Sequence, residues 1–230
     1  MIRFNRALSQ AKALSFDLDD TLYNNHPIIK AALQAQHDYL QSLPAWQEQH
    51  EGFWLQCRRA VLQKRPQLIN DVTELRKQAL TYAIKAIGED EQHAHNAYDA
   101  FAQARSNITV TDEVLHLLAA LRPHFKLIAI TNGNVDVSKF NLHDQFEFVL
   151  MAGPDGDAKP HRALFDHAAT KLNIANHDII HIGDSLDTDV KGANNAGCRS
   201  IWLNNQGINY AYKGLPCCEI GDIMALRAFC

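Results

Sequence analysis

Short runs of almost uninterrupted apolar residues recur along the chain, separated by longer stretches in which apolar residues return every three or four positions. Each short run is bounded by polar residues and has the length of a buried β-strand. These predicted strands cover 13–16, 125–130, 146–151, 178–182 and 199–203. Helical periodicity follows several of them; Thr111 is predicted to cap one helix and Pro160 to begin another. The alternation predicts an α/β fold with a doubly wound parallel sheet, to which 219–230 adds a last short strand and helix.

Residues 24–105 contain no strand-like run and have the pattern of four consecutive helices. The first begins at His26-Pro27, where proline suits the first helical position. The other three helices cover about 45–64, 70–87 and 89–105. We therefore predict a helical domain at 24–105, inserted into an α/β core formed by 1–23 and 106–230.

Three acidic residues follow the first predicted strand almost at once. Asp17, Asp19 and Asp20 lie within four residues, and an extended backbone directs Asp17 and Asp19 to the same face. Two carboxylates about 4 Å apart repel each other by roughly 4 kcal/mol at an effective dielectric constant of 20. A hard cation such as Mg²⁺ offsets this repulsion. The alternative is a strand that simply ends in an acidic surface turn.

Further polar clusters occur at equivalent points of the predicted fold. Thr131 and Asn132 follow one strand, Asp184 and Asp189 follow another, and Lys159 precedes a predicted helix. Taken singly, these clusters are an ordinary turn, a helix cap with exposed acids, and a solvated lysine. Because the carboxyl ends of parallel strands share one edge of the sheet, we expect the clusters to converge with the acids of the first strand.

The converging groups fit one chemistry, which is phosphoryl transfer through a covalent enzyme intermediate. An aspartate is able to form an aspartyl-phosphate, and the transfer then depends mainly on positioning and charge stabilisation. A hydroxyl, an amide and an ammonium group neutralise phosphate oxygens alongside Mg²⁺. A second acid protonates the leaving alcohol and later deprotonates a water molecule.

Composition narrows the class of protein. The 230 residues are 47% hydrophobic with a formal net charge of −4, which suits a globular protein and indicates neither nucleic acid nor a membrane as a partner. No signal peptide is visible, and the five cysteines form neither a disulfide framework nor a metal motif. We therefore expect a reduced, cytoplasmic protein, monomeric or homodimeric, that acts on a small molecule.

Four ordered motifs carry a resemblance to a known family. The motifs are Asp17-Leu18-Asp19-Asp20-Thr21, Ile130-Thr131-Asn132-Gly133, Lys159-Pro160 and Gly183-Asp184 followed by Asp189. In this order and spacing they resemble those of the haloacid dehalogenase (HAD) superfamily, and the helices at 24–105 resemble its C1-type cap. The resemblance covers nearly the whole chain and implies that the first strand is central in the sheet.

The resemblance also implies roles for individual residues in the covalent chemistry. Asp17 corresponds to the nucleophile and Asp19 to the general acid and base. Thr131, Asn132 and Lys159 correspond to the groups that bind the phosphate of a small phosphate ester.

A bound Mg²⁺ ion is implied in the same way. Asp17, the main-chain carbonyl of Asp19 and Asp184 correspond to its ligands. Asp189 supports these ligands from outside the coordination sphere of the ion.

Within the superfamily, the residues favour a phosphatase. Haloacid dehalogenases lack the second acid, which is present here as Asp19, and no position demands the cap lysine of phosphonate hydrolases. The chain is most similar to bacterial phosphatases acting on FMN and on the riboflavin precursor 5-amino-6-(5-phosphoribitylamino)uracil. A sugar phosphomutase or another HAD phosphotransferase shares all four motifs and stays open. The long insertion and the late acids argue against a non-enzymatic phospho-receiver, and the intact motifs against a silent binding protein.

The helical domain is expected to select the leaving group. Its aromatic residues are candidates for stacking on an aromatic substrate, with the core of the domain as the alternative location: Trp46, Phe53 and Trp54. Its arginines are expected on solvated helix faces: Arg58, Arg59, Arg76 and Arg105.

Overall fold

The computed structural model describes residues 2–8, 10–207 and 214–230. The chain divides into two compact units. The α/β unit comprises Met1–Asn24, Thr109–Gly133 and Asn141–Cys230, and the helical unit comprises Asn25–Ile108 and Asn134–Phe140. The helical unit thus extends to Ile108 and includes a short second segment, whereas the predicted insertion covered 24–105 alone.

The α/β unit is built on a sheet that contains seven strands in the described residues. The strands are β1 Ile2–Phe4, β2 Ala13–Phe16, β3 Lys126–Thr131, β4 Val149–Met151, β5 Ile179–Gly183, β6 Arg199–Leu203 and β7 Cys218–Ile220. Their order is β1-β7-β6-β5-β2-β3-β4. All neighbouring pairs in this described sheet are parallel except β1 and β7. The predicted doubly wound sheet is therefore confirmed, with an antiparallel edge strand that the sequence pattern did not indicate.

Strand β2 lies between β3 and β5 and pairs with both in parallel register. Its four residues are buried, because a strand covered on both faces of a sheet can only be lined by side chains removed from water. The C-terminal ends of β2, β3 and β5 therefore meet at one edge of the sheet.

In the part of the α/β unit that the structure describes, three α-helices accompany this sheet. They are α6 Asp112–Leu121, α7 Ala163–Leu172 and α8 Lys191–Ala196. Of the two predicted helix starts, the one at Thr111 is confirmed in position and the one at Pro160 is wrong. Thr111 occupies the cap position of α6 but makes no side-chain hydrogen bond there. Pro160 does not begin α7, because the main chain of Lys159 is held by Asn132 and the chain turns once more before Ala163.

The helical unit contains five α-helices in its described residues. They are α1 His26–Gln41, α2 Pro44–Gln47, α3 Phe53–Lys64, α4 Val72–Ala86 and α5 Gln92–Arg105. The predicted single helix over 45–64 is wrong, because the chain breaks between α2 and α3. Gly52 adopts φ 90° at the break, a left-handed conformation that glycine reaches without steric cost.

The aromatic side chains of the helical unit lie in its core. Trp46 is 8% exposed and meets the Phe53 ring edge-on at 5.5 Å between ring centroids. Both pack in a cluster with Leu40 and Leu80, and Trp54 packs partly buried against the same cluster. Burial of large rings is the main apolar contribution to such a core. Trp46 is therefore a core residue, and its interpretation as a stacking platform is corrected.

Two arginines of this unit are also not solvated. Arg105 is buried, and the Arg76 guanidinium lies 3.8 Å above the Phe101 ring and donates to Gln36 Oε1 at 2.8 Å. Burial and the charge of Arg58 lower the pKa of Arg76 to about 10. The helical periodicity placed both residues on helices but did not show which faces are covered.

Two expectations from composition concern the chain as a whole. In the described part of the chain, no helix combines the length and the apolar character needed to cross a bilayer. All five cysteines are free thiols, and four of them are buried.

Candidate active site

The predicted site residues of the α/β unit gather at one edge of the sheet. Asp17 directly follows β2, Thr131 ends β3 and Asp184 follows β5. The amide of Asp17 continues the parallel pairing by donating to Ile182 O at 2.9 Å. The first acid is therefore held by sheet hydrogen bonds at the point where its strand ends.

Lys159 is the cation at the centre of this cluster. It is 3% exposed, and its Nζ donates to Asp17 Oδ1 at 2.8 Å, Asp189 Oδ1 at 2.7 Å and Ile130 O at 2.7 Å. The three protons of the ammonium group thus have three acceptors. These three hydrogen bonds hold the buried ammonium group of Lys159 in one position.

One ammonium group between two carboxylates gives the two acids different pKa values. Burial raises the pKa of Asp17 to about 8, and the charge of Lys159 only partly opposes this. Burial also disfavours the charged form of Asp189, but the Lys159 ammonium and a hydrogen bond from His181 hold its pKa well below the usual range. Burial disfavours the charged form of Lys159 as well, but both carboxylates outweigh it and raise the pKa of Lys159. In the metal-free site, Lys159 and His181 therefore stabilise the charged form of Asp189, whereas burial outweighs the effect of Lys159 at Asp17.

This pairing leads to a prediction about stability. Lys159→Met should reduce the free energy of unfolding of the metal-free protein by about 3–5 kcal/mol, because Asp189 keeps a buried charge without its cation. Urea unfolding in the presence of a chelator measures this loss. Lys12→Met is the matched control: Lys12 also lies 2.8 Å from an aspartate, Asp178, but its side chain is 64% exposed. Solvent screens an exposed pair of this kind, which therefore contributes little to stability, so equal losses in the two variants would contradict the prediction.

Asp19 is held by groups within its own turn and by the neighbouring strand end. The Tyr23 hydroxyl donates to Asp19 Oδ1 at 2.6 Å. A Cβ atom at Gly133 would lie 2.5 Å from Asp19 Oδ2, a separation that no real contact allows. Glycine at position 133 therefore leaves the space that the Asp19 carboxylate occupies.

Thr131 and Asn132 differ in what their side chains contact. Thr131 is fully buried, and its Oγ1 accepts from the Gly133 amide at 2.9 Å. The Asn132 side chain donates from Nδ2 to Lys159 O at 2.9 Å, and its Oδ1 accepts from Lys159 N at 2.8 Å. Asn132 thus fixes the main chain of Lys159, a contact between β3 and the later loop that the motif itself did not indicate.

Asp184 is positioned by Trp202, which lies outside the motifs, and by Thr21, which belongs to the first motif but was assigned no role. Trp202 on β6 donates from Nε1 to Asp184 O at 2.8 Å. Thr21 Oγ1 lies 3.4 Å from Asp184 Oδ1 and 3.3 Å from Asp17 Oδ2, close enough to donate to either. Burial and the charge of Asp189 raise the pKa of Asp184 to about 6.

The acids offer a donor set for a divalent cation. Carboxylate oxygens of Asp17, Asp184 and Asp189 all lie within 4.8 Å of one another. Mg²⁺ prefers such hard oxygen donors. Burial, and to a smaller extent the charge of Asp189, raise the pKa of both Asp17 and Asp184, so a divalent cation among these acids would stabilise their charged forms. The residues therefore fit Mg²⁺.

Asp189 has more protein contacts than the other two acids of this set. Its Oδ1 accepts from Lys159 and from His181 Nε2 at 3.2 Å, and its Oδ2 accepts from the Ser185 amide at 3.0 Å. A Cβ atom at Gly183 would lie 2.3 Å from the Asp189 carboxyl carbon, so glycine is required where the carboxylate crosses the end of β5. These contacts favour a supporting position for Asp189.

All seven predicted site residues thus lie in the α/β unit, around the ends of β2, β3 and β5. The residues that sequence reasoning missed are those that hold them: Ser15, Tyr23, His181 and Trp202. Thr21 was part of the first motif, but its contact with the acids was not predicted. A polar residue inside an otherwise apolar strand was the available signal for Ser15 and His181.

Comparison with known proteins identifies relatives of this chain. A family model described as haloacid dehalogenase-like hydrolase matches residues 11–197. The 5-amino-6-(5-phospho-D-ribitylamino)uracil phosphatase YigB of Escherichia coli strain K12 is 39% identical over 239 aligned residues, covering 99% of each chain. The N-acylneuraminate-9-phosphatase of Rattus norvegicus is 24% identical and covers 96% of this chain and 94% of its own.

A solved structure is also similar over nearly the whole chain. The crystal structure of a 2-haloacid dehalogenase from Pseudomonas syringae pv. Tomato DC3000 superposes with a TM-score of 0.91 at 32% identity. The match covers 95% of this chain and 97% of that chain.

Proposed function

Because the chain belongs to the haloacid dehalogenase-like hydrolase family, we propose that it is a Mg²⁺-dependent phosphatase that hydrolyses a small phosphate monoester through an aspartyl-phosphate on Asp17. The observation that carries this proposal is the buried contact of Asp17 with Lys159, beside a second acid two residues further on. An acid suited to nucleophilic attack, a fixed cation and a second acid at one edge of the sheet support this chemistry.

In the first step, a carboxylate oxygen of Asp17 attacks phosphorus and the bond from phosphorus to the ester oxygen breaks. Asp19 donates a proton to the departing alcohol. In the second step, Asp19 takes a proton from water, which attacks the phosphorus of the aspartyl-phosphate. Inorganic phosphate leaves and the Asp17 carboxylate is restored.

The phosphate oxygens need donors and positive charge throughout both steps. We assign the Thr131 hydroxyl and the Lys159 ammonium to this role, while Asn132 acts on the phosphate through the main chain of Lys159, which it binds. When the Asp17 carboxylate forms the acyl phosphate, Asp189 and Ile130 O still hold the Lys159 ammonium group, which then lies beside the negative charge of the bound phosphate. This is charge stabilisation by groups already oriented in the resting protein.

Asp17, the main-chain carbonyl of Asp19 and Asp184 would hold Mg²⁺, with Asp189 supporting them. Bound there, Mg²⁺ supplies charge neutralisation between the nucleophile and the phosphate. The protein residues supply the remaining functions, namely attack, proton transfer and orientation.

The role of Asp19 is tested by separating the two steps. Asp19→Asn should slow both formation and hydrolysis of the aspartyl-phosphate by about 10²–10⁴-fold, because an amide neither gives nor takes the required proton. Rapid-quench kinetics measures the two rates. Asp20→Asn is the matched control: Asp20 adopts φ 60°, a conformation that asparagine tolerates as well as aspartate. Two unchanged rates in Asp19→Asn would remove Asp19 from the mechanism.

For the substrate, we propose 5-amino-6-(5-phospho-D-ribitylamino)uracil, with FMN as the alternative. The support is the 39% identity to YigB over the full length. The helical unit is proposed as the part of the protein that selects the leaving group. The five free thiols support a reducing, cytoplasmic location.

A substrate screen tests this proposal directly. Purified protein with Mg²⁺ is offered the riboflavin precursor, FMN, sugar phosphates and a 2-haloacid, and the release of phosphate or halide is measured. The proposal expects phosphate release with the precursor preferred, and no halide release. Transfer of phosphate between positions of a sugar, without release, would instead indicate a phosphomutase, and halide release would indicate a dehalogenase.

A further inference from the structure

Two polar side chains lie deep in the sheet behind the proposed site, where no substrate reaches them. Ser15 on β2 and His181 on β5 are register partners across the parallel pair, and both are fully buried. Ser15 Oγ lies 2.7 Å from His181 Nδ1, and His181 Nε2 lies 3.2 Å from Asp189 Oδ1. A buried polar pair of this kind is costly unless every hydrogen bond is made, and here each of these ring nitrogens has a partner.

The partners determine which nitrogen carries the proton. An ionised carboxylate only accepts hydrogen bonds, so His181 Nε2 must donate to Asp189. Burial and the neighbouring charge of Lys159 lower the pKa of His181, which leaves one N–H on the ring. Nδ1 is then an acceptor, and the Ser15 hydroxyl donates to it. The hydrogen bonds thus run in one direction, from Ser15 through His181 to Asp189.

Their effect is to hold Asp189 in a single orientation. His181 and Lys159 share Oδ1, and the Ser185 amide holds Oδ2. The Phe165 ring meets the imidazole edge-on at 5.0 Å between ring centroids and limits its rotation. Asp189 in turn binds the Lys159 ammonium group, which also contacts Asp17. The imidazole therefore helps to orient Lys159 by fixing the carboxylate of Asp189.

We infer that Ser15 and His181 are positioning residues of the reaction, which orient Lys159 through Asp189. This inference rests on the proposed phosphatase function, since Lys159 is assigned there to the phosphate. Neither residue contacts the reacting atoms. Groups that orient an active-site side chain in this way typically contribute about 10–100-fold to activity.

Two variants, His181→Gln and His181→Leu, test whether activity depends on the hydrogen bond that His181 donates to Asp189. The two side chains are similar in volume, but only glutamine can donate a hydrogen bond from the position of Nε2. With p-nitrophenyl phosphate and Mg²⁺, His181→Leu should lower kcat by about 10–100-fold with little change in KM. His181→Gln should recover most of this loss. Equal kcat values in the two folded variants would overturn the inference.

Ser15→Ala provides a second test that removes a single hydroxyl. Ser15→Ala should lower kcat by about tenfold, which is the lower end of the range of about 10–100-fold for such positioning groups. Ser200→Ala is the matched control, because Ser200 is also buried and pairs with His181 from the other side, on β6, but its hydroxyl binds Asn194. Both variants lose one buried hydroxyl, so a general loss of stability would affect both alike. If kcat falls equally in both, or in neither, the inference is overturned.

Nitrogen-15 NMR of the histidine rings gives a readout that needs no turnover. His181, assigned by its absence from the His181→Gln spectrum, should show a protonated Nε2 and an unprotonated Nδ1, and Ser15→Ala should shift the Nδ1 signal. A proton on Nδ1 would overturn the inference even in a fully active enzyme. Conversely, a wild-type protein that hydrolyses no phosphate ester would overturn the proposed function, whatever the ring spectrum shows.

Discussion

Asp17→Asn is expected to abolish phosphate ester hydrolysis, with a loss in kcat of at least about 10³-fold, while the protein remains folded. Activity is lost because the amide is not a nucleophile toward phosphorus and cannot form the covalent intermediate. The fold should persist because burial raises the pKa of Asp17 to about 8. The amide has the shape of the carboxyl group that it replaces and brings no charge into this buried position, and its oxygen still accepts from Lys159.

Two measurements check this expectation together. Acid quenching after mixing with ³²P-labelled substrate should trap label on the wild-type protein and none on Asp17→Asn. Thermal unfolding of the metal-free proteins should give similar midpoints. A folded Asp17→Asn variant with near wild-type turnover would refute the covalent mechanism.

Removal of Mg²⁺ by a chelator is expected to abolish activity, and added Mg²⁺ should restore it. The reason is that carboxylate oxygens of three acids lie within 4.8 Å of one another, while Lys159 is the cation that contacts two of them. A phosphate group brings further negative charge to this edge of the sheet. Without a divalent cation, attack by one anion on another is opposed by electrostatic repulsion.

Asp184→Ala should weaken the binding of Mg²⁺, because it removes one of the proposed ligands. The variant should need much more Mg²⁺ for half-maximal activity and should turn over at least about 10–100-fold more slowly, the loss found even for groups that only support a metal ligand. Asp187→Ala is the control, because Asp187 lies only three positions further on, in the helical turn Leu186–Val190, but is exposed. Mg²⁺ titrations of activity compare the two. Full activity of the wild type in excess chelator would eliminate the metal from the mechanism.

Much of the fold and of the candidate site could be predicted from the sequence because the information is local. Four buried residues before Asp17 suffice to indicate a strand that ends at an acid. Parallel pairing then brings the end of this strand next to Thr131 and Asp184, since strands β2, β3 and β5 are neighbours. Strand ends that share one edge of a sheet need no knowledge of side-chain packing, so the clustering of the motif residues followed from their positions alone.

Other features depended on tertiary contacts between distant segments. Whether 45–64 is one helix or two depended on a break at Gly52, and whether Trp46 stacks on a ligand or fills a core depended on the helices packed around it. The start of α7 moved to Ala163 because Asn132, 27 positions before Lys159, binds the main chain of that residue. Periodicity contains no information on such partners.

The chemical groups that are available, and the strand ends at which they stand, can be read from the order of the residues. The way in which these groups are held and charged depends on contacts between segments that are distant along the chain. Ser15 and His181 are 166 positions apart, and their hydrogen bond exists because β2 and β5 pair in one particular register. Likewise, Asp17 and Asp189 are the same residue type, yet burial raises the pKa of one while contacts with Lys159 and His181 lower that of the other. The pKa of a carboxyl group depends on its burial and its neighbours, and both are properties of the folded chain.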